Sequence, residues 1–78
     1  MNWEKLPPMI RGMIAYGTTM QNKDGEERTL VAAFDELHPE KGWVGSMKKR
    51  WGAPEEVVRG AATLEHAQFK LMRKGGCL

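Results

Sequence analysis

The sequence predicts an all-α protein: a small bundle of three to four helices with a long C-terminal amphipathic helix over 54–74. Three observations lead there. Pro54 has the fixed φ and missing N–H that suit a first helical turn, and Gly75-Gly76 supplies a stop. Glu55 and Glu56 complement the positive helix start, while Arg73 and Lys74 complement the negative end. At about 100° per residue, Glu55, Glu56, Arg59, Thr63, His66, Lys70, Arg73 and Lys74 gather on one face. Val57, Val58, Ala61, Ala62, Leu64, Ala67, Phe69, Leu71 and Met72 cover the rest, interrupted only by Glu65 and Gln68.

The earlier elements follow from their punctuation. Pro7-Pro8 opens a helix over 9–16, with Met9, Met13 and Tyr16 at helical spacing and Gly17 as its stop. Residues 18–23 are polar and read as a loop. Asp24 and Glu27 have capping-box spacing, and Leu30, Phe34 and Leu37 mark one face of a helix ended by His38-Pro39. The stretch 41–52 holds three glycines and two tryptophans, which suits a loop leading into a short helix over 46–51. The alternative is an α+β fold in which a β-hairpin over 9–36 packs on helix 54–74. Asn22-Lys23-Asp24-Gly25 is good hairpin-tip chemistry, and Gly12 and Gly17 each weaken a helix interior by about 1 kcal/mol. Sparse Val, Ile and Thr, and the lack of clean alternation over 26–37, favour the all-α reading.

A chain of 78 residues forms one domain, 1–78, with 75–78 as a flexible tail and a core small enough to leave stability marginal. Cys77 is the only cysteine, so no disulfide forms within the chain, which suits a reducing compartment. No apolar run reaches the roughly 20 residues of a membrane span, and Met1-Asn2-Trp3-Glu4-Lys5 lacks the features of a signal peptide. With 28% charged and 41% hydrophobic residues, general disorder is excluded. The expectation is a soluble, cytoplasmic protein.

Charge is unevenly placed. Residues 1–40 carry four bases against seven acids, net −3, and residues 41–78 carry eight bases against three acids, net +5. Such asymmetry suits an acidic partner: nucleic acid, an acidic protein face, or the acidic half of a second copy. The basic half contains Trp43, Lys48, Lys49, Arg50 and Trp51, which interleave cations with aromatics. Trp and Arg dominate protein–protein hot spots, and exposed indoles also stack on nucleobases. With Arg59, His66, Lys70 and Arg73 from the helix face, these form the candidate partner-binding set. The apolar arc exceeds the roughly 100° stripe of a surface helix. Part of it, around Gly60, Leu64, Glu65 and Gln68, is the candidate interface of a homodimer or higher homo-oligomer.

Residues 46–61 resemble the generic helix-turn-helix pattern, through Trp51, Gly52, Ala53, Pro54, Val57 and Val58. The resemblance implies DNA binding, but Glu55 and Glu56 would stand where bases and phosphates are contacted. His38, His66 and Cys77 are too few and too irregularly spaced for a zinc site. The glycines of 42–52 lack phosphate-loop spacing. No catalytic constellation, cofactor or metal is expected. The sequence therefore predicts a non-enzymatic interaction protein, a small regulator or inhibitor of the kind carried by phages and mobile elements. It would dock a larger protein or nucleoprotein through a basic, Trp-containing surface. The alternatives are a nucleic-acid-binding regulator using 46–61, and an oligomer that captures a small phosphorylated ligand.

Overall fold

The computed structural model describes residues 3–78 and is α+β, which overturns the all-α bundle. Five antiparallel strands, β1 (Glu4–Lys5), β2 (Met13–Gln21), β3 (Glu27–Asp35), β4 (Trp43–Lys49) and β5 (Glu55–Ala61), lie side by side in chain order. One α-helix, α1 (Leu64–Lys74), follows, and a single 3-10 turn over Pro39–Lys41 lies between β3 and β4. None of the helices expected over 9–16, 24–37 or 46–51 forms. No helix among the described residues is long and apolar enough to cross a membrane.

Local chemistry explains the central hairpin. Asn22 Oδ1 accepts hydrogen bonds from the backbone N–H of Asp24 and of Glu26, both at 2.9 Å. Gly25 takes a positive φ of 79° and donates its N–H to the Asn22 carbonyl at 3.0 Å. An Asx side chain folding the backbone over itself, followed by a left-handed glycine, is turn chemistry and does not start a helix. The capping role expected of Asp24 is therefore replaced by that of Asn22. The β2–β3 pair lies within the hairpin considered over 9–36, but that alternative's helix over 54–74 is realised only from Leu64.

The alternation over β3 is hidden because both sheet faces are apolar or small. Leu30 and Ala32 are fully buried under α1, whereas Thr29, Val31 and Ala33 point the other way. Leu30 and Phe34 stand four apart, a spacing common to one face of a helix and one face of a strand. Only Leu37, three further on, implied a helix, and it lies in the connection after β3.

The first half of the expected long helix is strand β5. Its pairing with β4 is irregular: Gly45 is opposite Val58, Ser46 opposite Glu56, and Trp43 opposite Ala61. Extra residues in β5 bend it and turn both Val57 and Val58 toward the core. This breaks the period of two and imitates a helical pattern. Gly60 takes φ +68° at the second irregularity. Pro54 immediately precedes β5, where its missing N–H costs no ladder bond.

Thr63, extended at φ −133° and ψ 159°, caps α1 by accepting from the His66 N–H at 3.1 Å. The helix packs over β3, β4 and β5, and buries Ala67 and Leu71 against Leu30, Ala32, Val58 and Ala61. Trp3, Met20, Trp43, Met47, Leu64 and Met72 surround this core. At the chain end, the Gly76 carbonyl accepts from Lys23 N–H at 3.0 Å, and Cys77 N–H donates to the Met72 carbonyl at 2.8 Å. No element among the described residues covers the other sheet face. Its cross-strand rows are Ala15, Ala33 and Val44; then Glu4, Gly17, Val31, Ser46 and Glu56; then Thr19, Thr29 and Lys48.

Candidate functional site

The basic run of 48–51 does not form one patch, because successive residues of a strand point to opposite faces. Lys48 is opposite Thr29 and lies on the uncovered face, whereas Lys49 is opposite Arg28 and lies on the helix side. Arg50 pairs with Glu27 at 3.9 Å and places its guanidinium 5.5 Å from the Trp51 ring. The two tryptophans also separate. Trp43 is half-buried beside the core, with its ring 5.2 Å from Phe34 and 6.4 Å from Tyr16. Trp51 sits in the β4–β5 connection and is 84% exposed.

Between the β2–β3 turn and the β4–β5 connection lies a cleft of about 580 Å³, walled by Arg28, Lys49, Arg50 and Trp51 with Glu26 and Glu27. Its charges are largely matched, since Arg28 also pairs with Glu26 at 3.5 Å. The helix-turn-helix resemblance of 46–61 finds no helix: these residues are the end of β4, a connection, and β5.

A second cleft, of about 420 Å³, runs between edge strand β5 and α1. Val57 and Val58 contribute its apolar surface; Arg59 enters from β5, and Lys70, Arg73 and Lys74 enter from α1. None of these six lining residues is acidic. Glu56 forms an ion pair with Arg59 from outside the lining. The last-turn bases also complement the negative end of the helix dipole, which accounts for their position without a ligand. Even so, Lys70, Arg73 and Lys74, with the ion-paired Arg59, surround an apolar floor and give the cleft a positive field that attracts an anionic group.

Arg59, Lys70 and Arg73 line one cleft, but across a strand–helix seam and not along the single helix face expected for them. Lys74 joins them and was absent from the expected set; its place in the last basic turn was the available signal. His66 is exposed in the first turn of α1 and does not line the cleft. Of the residues expected at an oligomer interface, Leu64 packs against the core and Gln68 is half-buried, while Gly60 and Glu65 are exposed.

The remaining reactive groups are individually accounted for. His38 Nδ1 lies 2.8 Å from Asp35 Oδ2, and this hydrogen bond, with one from Leu37 N–H, holds the Asp35 carboxyl below its usual range. Burial pushes the Cys77 thiol up, so it is a poorer nucleophile than a free cysteine. Among the described residues, no group of three or more His, Cys, Asp and Glu side chains is arranged to hold a metal. No family model, curated protein or solved structure matches the chain.

Proposed function

We propose that the chain is a non-enzymatic interaction domain, a small cytoplasmic regulator or inhibitor that docks an acidic surface of a larger protein or nucleoprotein. The observation that carries this reading is the convergence of Arg59, Lys70, Arg73 and Lys74 on one cleft without an acidic lining residue. Trp51 supplies the second element, an exposed aromatic anchor with Arg50 against its ring. Cations around the cleft would raise the association rate, and the indole would set the lifetime of the complex.

A protein surface fits better than a continuous phosphate backbone. Glu55 and Glu56 open β5, between the Trp51 connection and the cleft, and interrupt any basic track. The aromatic residues of the sheet, Tyr16, Phe34 and Trp43, pack on one another and offer no row of stacking platforms.

The test is a titration with labelled random-sequence duplex and single-stranded DNA and RNA, at low and near-physiological salt. Alongside it, proteins retained from bacterial lysate are compared for the native chain and an Arg59→Glu/Arg73→Glu variant. The proposal expects weak nucleic-acid binding lost at near-physiological salt, and a retained protein that the variant fails to hold. A micromolar nucleic-acid complex weakened similarly by Lys70→Ala, Arg73→Ala and Lys74→Ala would reassign the function to nucleic-acid binding.

A further inference from the structure

β5 is the last strand of the sheet, and among the described residues it pairs only with β4. Such an edge leaves part of its backbone N–H and C=O groups without a partner, and so can accept a further strand. What distinguishes this edge is its neighbour. α1 folds back along β5, and the cleft of about 420 Å³ opens between the two. The opposite edge is β1, two residues long, and α1 packs over β3, β4 and β5 instead.

We infer that the acidic element docked here, on the reading proposed above, is an extended peptide segment added to β5 as a sixth strand. Its acidic side chains stand at alternate positions and turn toward α1. Charge selects that occupant. Among the described residues Lys70, Arg73 and Lys74 form no ion pair, whereas Arg59 is held by Glu56. At about 1.5 Å per residue, Arg73 and Lys74 lie about 4.5 and 6 Å from Lys70 along the helix axis. Alternate residues of an extended strand share one face and are about 6.6 Å apart. Two acidic residues separated by one other would each meet a cation of α1, and the residue between them would turn to the uncovered face of the sheet.

The edge also limits what it accepts. Gly60, at φ +68°, interrupts β5, so the added strand runs opposite Glu55–Arg59. Exposed Glu55 favours a neutral or basic residue across from it. Irregular pairing and edge charges discourage indiscriminate strand addition, which leaves the contact dependent on the acidic pattern. A second copy is a poor occupant. Antiparallel pairing of two β5 strands about a two-fold axis keeps both helices on the same face, and Lys70, Arg73 and Lys74 of the two copies would confront one another across the seam.

Fluorescence anisotropy at near-physiological salt tests the inference, with a labelled peptide of about nine residues that alternates threonine and glutamate. The native chain is expected to bind it with a dissociation constant of roughly 100 μM, and Arg73→Glu to weaken binding at least tenfold. Lys41→Glu, in the turn before β4, should leave binding unchanged. Strand addition has a signature that charge attraction lacks, because only every second N–H of the peptide points to β5. N-methylation of one alternate set should therefore weaken binding at least tenfold, and of the other set hardly at all. The peptide should also slow amide hydrogen exchange within Glu55–Arg59 and not within β2. No binding at about 1 mM peptide, equal losses from the two methylated sets, or unchanged exchange in β5 would each overturn the inference. Self-association of the native chain that the peptide competes away would give the edge to a second copy, and overturn it too. Should strand addition fail while Arg59→Glu/Arg73→Glu still abolishes capture of a lysate protein, the docking reading stands and this inference alone falls.

Discussion

Leu71 of α1 sits on the bare backbone of Gly45 in β4. A Cβ built at Gly45 would stand 2.7 Å from Leu71 Cδ2 and 2.9 Å from Val58 Cβ. The missing side chain lets the helix reach the sheet, and Leu71 is fully buried there. Gly45→Ala should therefore overpack the seam and cost about 1–3 kcal/mol. Leu71→Ala should cost about 2–5 kcal/mol through the cavity it leaves. Because Leu71→Ala removes the atoms that the methyl added by Gly45→Ala would strike, the double variant should lose less than the sum. Urea midpoints at constant m-value measure all three.

The two tryptophans of the basic half should respond oppositely to truncation. Trp51→Ala is expected to change stability by no more than about 0.5 kcal/mol, since the ring is almost wholly in water. Trp43→Ala removes packing against Phe34 and the core and should cost about 2 kcal/mol, below the fully buried range. Acrylamide quenching provides a direct check: Trp51→Phe should remove the most accessible part of the emission.

Thr63 holds the start of α1 through a single side-chain bond to the His66 N–H. Thr63→Ala should cost about 1 kcal/mol, and Thr63→Asp should restore most of it. Thermal melts of the three proteins, followed at the helical band, decide this.

Asp35 should make the fold sensitive to acid. Its carboxyl is held down first by His38, then by the Leu37 N–H. A carboxylate with a lowered folded pKa stabilises the fold above the ordinary carboxylate range, about pH 4. That contribution is lost as pH falls through the lowered value. His38→Ala should raise the Asp35 pKa toward normal, seen by carboxyl-carbon NMR titration, and should flatten the acid limb of thermal stability.

How much was legible in advance differs by element. Asn22 and Gly25 carried their turn in their own side-chain and backbone chemistry, and Arg73, Lys74 and Gly75 marked the end of α1. The cations were legible as a group, but their grouping was not. The pleat sends Lys48 and Lys49 to opposite faces, and an edge-strand Arg59 meets Lys70 and Arg73 only because α1 folds back along β5. Trp43 and Trp51 have the same composition around them, and only tertiary packing separates anchor from exposed ring.

The sequence by itself determined the glycine stop and basic last turn of α1 and the store of positive charge in the second half, and it carried the turn chemistry of 22–25 as the rival to a helix start. Those depend on interactions within a few residues. Tertiary structure alone decided that 27–35 and 55–61 are strands. A spacing of four satisfies both periodicities in β3, and the irregular pairing of β5 turns Val57 and Val58 inward together as a helix would. Which period prevails depends on the partner strand: cross-strand hydrogen bonds and the burial of Leu30 under Leu71 exist only once distant parts of the chain have met.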